Sequence, residues 1–175
     1  PVVPTVFLGG GTPSLLSSKQ MRYLLAALER NFNLETDGEI TAEVNPDDVD
    51  DNRMGGFLAD GINRISFGVQ TLNDDLLRLL GRRHSAVTAL EAYSIARRQG
   101  FSNINIDLMY GLPHQTLEDW KYTLETIVGL RPEHISAYCL TVETGTALEV
   151  AIRTNRIPSP DSDLAADMYE WGTQF

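Results

Sequence analysis

The sequence predicts an α/β fold, a run of βα units around a parallel sheet that forms part of a TIM-like barrel. Short β-branched runs alternate with longer segments of helical period along the whole chain. The strands recur about every thirty residues, and at that period an eightfold barrel needs about 250 residues. A chain of 175 residues therefore supplies about five units, part of such a barrel.

The elements follow in order. TVFLG (5–9) is the first strand. Ser17-x-x-Gln20 is a capping box, in which each side chain satisfies a backbone group of the other, and it opens an amphipathic helix through QMRYLLAALER. EITAEVN (39–45) is the second strand, and a helix through DDNRMGGFLAD runs to Gly61, a left-handed cap. INRISFGVQ (62–70) is the third strand. Asn73 caps a short helix that ends at Gly81, and a second helix (86–99) is closed by Gly100. NINIDLMYG (103–111) is the fourth strand, Thr116 with Asp119 caps TLEDWKYTLETIVGL, and EHISAYCLT (133–141) is the fifth strand. A tail with a Pro-rich break at 158–160 leads into a final helix. Residues 1–150 form the partial barrel, and 151–175 begin a C-terminal region. With a start at Pro1 and a stop inside a helical pattern, the chain is expected to be a piece of a longer protein.

A net charge of −10 argues against a nucleic-acid-binding face, which needs clustered Lys and Arg. The one basic cluster is RLLGRRH (78–84). No apolar run approaches a membrane span, and no secretory signal pattern is present, so a cytoplasmic location is expected. Cys139 is the only cysteine, which excludes an intrachain disulfide and a cysteine cluster within these residues. It reads as a small buried apolar residue.

Ligands bind parallel βα sheets at the carboxyl ends of the strands. The first strand delivers Gly9, Gly10, Gly11 and Thr12 there, the second Glu43 and Asn45, the third Gln70, the fourth Asp107 and Tyr110, and the fifth Tyr138, Thr141 and Glu143. Each has a plain alternative. The glycines make a tight turn as readily as a ligand loop, and they match neither the dinucleotide fingerprint nor the P-loop. Glu43 and Asp107 interrupt apolar strands and need a cation or strong donors, which a structural salt bridge also supplies. Arg82 and Arg83 follow a helix C-terminus that favours cations anyway, and His84 reads as loop polarity. Met109, Tyr110 and Trp120 read as packing. Taken as a set, the residues suit a ligand with a zwitterionic amino-acid end and a sugar. Glu43 and the glycine loop suit the ammonium, Arg82 the carboxylate, and Gln70 with Asp107 the ribose hydroxyls.

Five stretches in order, FLGGGTPSLLS (7–17), EITAEVNPDDV (39–49), GINRISFGVQTLNDDLLRLLGRRH (61–84), NINIDLMYGLPHQTLEDW (103–120) and HISAYCLTVETGT (134–146), carry a family resemblance. The chain resembles the radical S-adenosylmethionine family, in the branch of oxygen-independent coproporphyrinogen III oxidase and its haem-chaperone relatives. The resemblance implies an open (β/α)6 barrel of the radical S-adenosylmethionine type. It implies S-adenosylmethionine held by Gly9, Gly10, Gly11 and Thr12 with Glu43 at the amino end, Gln70 and Asp107 at the ribose, and Arg82 at the carboxylate. It also implies a [4Fe–4S] cluster on a three-cysteine loop, expected upstream of this chain, so no metal ligand or catalytic residue is expected within it and the fragment alone is expected to be inactive. Haem or a porphyrinogen is the further ligand, with a haem-recipient protein and a flavodoxin or ferredoxin reductant as partners. The later segments look more like the chaperone branch than the oxidative decarboxylase. A phosphometabolite-binding barrel without a cluster is the alternative outside the family.

Overall fold

The computed structural model describes residues 1–175. Its elements are β1 (Val2–Leu8), α1 (Ser18–Asn31), β2 (Asn33–Val44), α2 (Asp51–Ala59), β3 (Arg64–Gln70), α3 (Asp74–Leu79), α4 (Ala86–Gln99), β4 (Ile104–Tyr110), α5 (Leu117–Gly129), β5 (His134–Cys139), α6 (Ala147–Arg153) and α7 (Ser162–Gln174). Short 3₁₀ turns, Pro13–Leu15 and Pro46–Asp48, follow β1 and β2. The strands make one sheet in the order β1-β2-β3-β4-β5. β1, β2 and β3 pair in parallel, with Leu8 opposite Ala42 and Val44 opposite Phe67. Neighbours in the sheet are thus neighbours in sequence, as successive βα crossovers require.

The capping chemistry read from the sequence sets the helix starts. Ser17 and Gln20 form the capping box of α1, and Thr116 and Asp119 that of α5. Asn73 accepts from the Asp75 and Leu76 amides at the start of α3. Two spans differ from expectation. β1 begins at Val2 and β2 at Asn33 because the strands stay paired past a register break between Val3 and Thr5. Pro4 lies in that break and has no N–H to give the ladder, and within the turn-like NLETDG run Asn33 and Leu34 pair with Val2 and Val3. α6 was not expected; Thr146 caps it by accepting from the Glu149 amide, but seven residues are too few to show a period.

The chain divides into two compact units, Pro1–Gly68 with Val87–Ile106 and Pro132–His134, and Val69–Ala86 with Asp107–Arg131 and Ile135–Phe175. In the first, Met21, Met54, Phe57, Ile62, Ile65, Ala96 and Ile104 are wholly buried. Strand parity sorts the rest: Ala42, Ile65 and Ile106 are core, while the alternate positions Thr41, Ser66 and Asn105 are buried polar groups. These are satisfied by one another and by their neighbours. Asn105 donates to Ser66 Oγ at 2.7 Å, His134 Nδ1 lies 2.5 Å from Asn105 Oδ1, and Arg64 reaches Thr41 Oγ1 at 3.3 Å and Glu39 at 3.7 Å.

In the second unit Trp120 and Met168 form the centre, with Trp120 Nε1 donating to the Met168 carbonyl at 2.9 Å and tying α5 to α7. Tyr110 packs on Trp120, ring centres 5.4 Å apart, so both are packing residues as expected. Cys139 corrects the sequence expectation: it is exposed. β5 is the last strand of the sheet, and its residues are exposed from Ala137 onward.

Asp119 joins two loops of this unit. It accepts from Thr116 and, at 2.8 Å, from Asn73 Nδ2. Burial raises its affinity for a proton, but the Thr116 and Asn73 hydrogen bonds outweigh that and hold the carboxyl below the usual Asp range. A lowered folded pKa contributes stability that is present above the unfolded pKa and lost as pH falls through the folded one. The stability difference between wild type and Asp119→Ala, measured by urea unfolding, is expected to be constant above about pH 5 and to shrink below about pH 4. A difference independent of pH would contradict this.

Candidate functional site

In the first unit the loop after β1 and the end of β2 meet. The backbone N–H of Gly10 donates to Glu43 Oε2 at 3.0 Å. Glu43 is therefore a partnered carboxylate, which explains how a charge is carried between the buried Ala42 and Val44 near the end of β2. A Cβ at Gly9 would stand 2.7 Å from Phe7 Cε1 and 2.9 Å from Glu43 Oε1, closer than real Cβ contacts come. Gly10 and Gly11 are different: their φ values of 76° and 60° are the requirement, since a Cβ at either would meet nothing within 4 Å. The loop thus presents open backbone on one side and is seated on a carboxylate on the other.

Behind it, residues not anticipated from the sequence fasten the loop. Ser14, wholly buried, donates from Oγ to Asp48 Oδ2 at 2.6 Å, and the Arg53 guanidinium donates to the Ser14 carbonyl. The segments following β1 and β2 are thereby joined. The NPDD pattern after the second strand was the available signal, but acidic residues beside Pro read equally well as a solvated turn. Thr12 precedes the 3₁₀ turn, where its carbonyl accepts from the Leu15 amide at 3.1 Å.

The second unit holds Gln70, Arg82 and Asp107. Gln70 ends β3, is 7% exposed and has φ 69°, a left-handed value uncommon outside glycine. Arg82 follows Gly81 at the end of α3. The Gly81 amide donates to the Arg78 carbonyl and the Arg82 amide to the Leu77 carbonyl at 2.9 Å, a Schellman cap that fixes the backbone from which Arg82 extends. Asp107 continues the parity of Asn105 along β4 and is half-buried. Of the expectation of surface or loop polarity, His84 keeps the loop position between α3 and α4 and corrects the surface one: it is 4% exposed, with Nε2 3.2 Å from the Val69 carbonyl.

An apolar cavity of about 360 Å³ lies in this unit among Tyr110, Trp120, Leu124 and Met168, away from these three residues in its lining. Burial, then the neighbouring Cys139 and Tyr169, pushes the Tyr110 phenol up. An iron–sulfur cluster needs cysteine thiolates. This chain contains one cysteine and no group of three His, Cys, Asp or Glu side chains placed to hold a metal, so its own residues do not fit a cluster. They do fit an amino-acid ligand, through open glycine backbone beside a carboxylate.

The Radical SAM superfamily model matches residues 1–127. The heme chaperone HemW of Haemophilus influenzae is 43% identical over 98% of the chain, and the mitochondrial radical S-adenosyl methionine domain-containing protein 1 of Mus musculus is 42% identical over 97%. The chain spans 44% and 38% of their respective lengths. Among solved structures, the coproporphyrinogen III oxidase HemN of Escherichia coli superposes with a TM-score of 0.84 at 32% identity, over 97% of this chain and 39% of that one. The chain belongs to the radical S-adenosylmethionine superfamily. Its fold is the partial α/β barrel of that family, and its similarity lies in the branch of the oxidase and the haem chaperones.

The glycine loop provides a structural test that needs no ligand. Gly9→Ala must shift both the Phe7 ring and the Glu43 carboxylate and is expected to cost about 1–2 kcal/mol in urea unfolding, part of it from the weakened charge-assisted bond to Gly10. In a Glu43→Ala background the part of that cost owed to the carboxylate should vanish, leaving the Phe7 contact. Losses that add within about 0.5 kcal/mol would show that the two sites act independently.

Proposed function

We propose that this chain is the S-adenosylmethionine-binding part of a radical S-adenosylmethionine protein of haem or porphyrin metabolism, of the haem-chaperone kind. The observation that carries the proposal is the Gly10 amide seated on the Glu43 carboxylate, a backbone loop held open next to a negative charge. In this reading Gly9, Gly10, Gly11 and Thr12 offer backbone polar groups to the methionine amino end, and Glu43 supplies the charge its ammonium requires. Arg82 pairs with the carboxylate in fork geometry, on a backbone already fixed by the α3 cap. Gln70 and Asp107 hydrogen-bond the ribose hydroxyls. Family membership supports the ligand, and the order of these residues along the strand ends supports the assignment.

When bound and reduced by one electron, S-adenosylmethionine supplies hydrogen-atom abstraction. The work of this chain is to bind, orient and charge-match that molecule. Haem or a porphyrinogen is the proposed second ligand, a haem-recipient protein and a flavodoxin- or ferredoxin-type reductant are the proposed partners, and the cytoplasm is the proposed compartment. No helix here is long and apolar enough to cross a membrane. The higher identity to proteins named heme chaperones favours transfer of haem over its synthesis. The structural likeness to a coproporphyrinogen III oxidase favours a second reading, oxidative decarboxylation of porphyrinogen propionates.

Haem titration and single-turnover decarboxylation on the natural full-length protein, reconstituted anaerobically, separate the two. Stable haem binding without decarboxylation is expected; product formation without haem binding would reverse the preference. In the same preparation Arg82→Ala is expected to weaken S-adenosylmethionine binding by about 2 kcal/mol or more with iron content unchanged. Unaltered affinity in equilibrium dialysis would remove Arg82 from the site.

A further inference from the structure

We infer that His84 is a positioning residue for the proposed ligand, a clamp joining the strand end that carries Gln70 to the short segment that carries Arg82. The inference rests on the proposed function and adds to it a residue that contacts no ligand atom itself.

β3 finishes in an unusual way. The Thr71 amide donates to the Val69 carbonyl at 2.9 Å, a bond spanning three residues, with Gln70 at its centre at φ 69°. This is a γ-turn of the positive-φ kind, rare and strained. A glutamine held there needs surroundings that over-determine it, and such strain concentrates at sites that bind.

The surroundings do over-determine it, from both sides. Downstream, Thr71 is wholly buried, and its Oγ1 accepts from the Asn73 amide at 3.2 Å. Thr123 Oγ1 accepts from the Leu72 amide at 3.2 Å. Upstream, the His84 ring lies on the Val69 carbonyl, with Nε2 at 3.2 Å. A carbonyl only accepts, so Nε2 carries the proton and donates. The same carbonyl oxygen thus takes both the turn's own bond and the imidazole bond.

The second end of the clamp is equally fixed. Arg82 lies two residues before His84, and its amide is bound into the α3 cap through the Leu77 carbonyl at 2.9 Å. With His84 buried at one end of this segment and the cap closed at the other, the intervening backbone has little freedom. One imidazole therefore sets the spacing between the residue proposed for the ribose and the residue proposed for the carboxylate. A buried histidine that merely filled space would leave that spacing to other contacts.

The test uses the natural full-length protein, anaerobically reconstituted, with S-adenosylmethionine as probe in equilibrium dialysis and hydrogen exchange of the Thr71 amide as a ligand-free readout. His84→Leu keeps bulk but loses the donor, His84→Gln places an amide N–H near the reach of Nε2, and His84→Asn places one short of it. Binding at least tenfold weaker for Leu and Asn, faster Thr71 exchange in both, and recovery to within threefold of wild type for Gln would support the clamp. Wild-type affinity and exchange in a folded His84→Leu protein would overturn it. If His84→Leu does not fold, the Asn and Gln pair decides: equal affinities overturn the clamp. A wild-type protein that binds no S-adenosylmethionine would overturn the proposed function instead, while unchanged Thr71 exchange in the variants would separately overturn the clamp.

Discussion

The bond from the Gly10 amide to the Glu43 carboxylate is the contact on which the proposed site depends. It converts two features that are individually unfavourable, a glycine-rich loop with large backbone entropy and a charge between buried apolar residues at the end of β2, into one ordered corner. Gly9 must lack a side chain for the carboxylate to approach, and Gly10 and Gly11 must lack one for the chain to turn away with positive φ. The Ser14, Asp48 and Arg53 contacts hold the same corner from behind. A preorganised corner of this kind loses little freedom when a ligand arrives, which is how affinity is obtained from few contacts.

Strand parity does the corresponding work for the sheet. Along β2, β3 and β4, alternate residues are apolar core, and the residues between them are Thr41, Ser66 and Asn105, buried but hydrogen-bonded. Continuing the same alternation brings Glu43 to the end of β2 and Asp107 toward the end of β4. A shift of one residue in either strand would send the carboxylate to the apolar side, at the cost of burying an unpartnered charge. β3 departs from regular strand only at Gln70, and there the departure is pinned by Thr71, Thr123 and His84.

Much of this is legible in the sequence. Capping boxes are local chemistry, and those of α1 and α5 were read to the residue. The strand order follows from the βα alternation. What escaped depended on contacts between residues far apart in sequence or on position in the sheet. His84 looked like a loop residue because its neighbours are two arginines, but its ring is buried against a strand residue on the far side of α3. Cys139 looked buried because its neighbours are apolar and aromatic, but it lies on the sheet's terminal strand. Ser14 and Asp48 are ordinary turn residues until the segments after β1 and β2 are brought together. The extra length of β2 and the short helix α6 lack, respectively, the composition and the length that make such elements visible.

The central claim is that the glycine loop is the backbone contact for S-adenosylmethionine. Amide hydrogen exchange across residues 9–12 of the natural full-length protein, reconstituted and compared with and without saturating S-adenosylmethionine, tests it most directly. The account predicts marked slowing at Gly11 and Thr12, with Gly10 already protected by Glu43 in the ligand-free state. Saturable binding that leaves the exchange of Gly11 and Thr12 unchanged would contradict it.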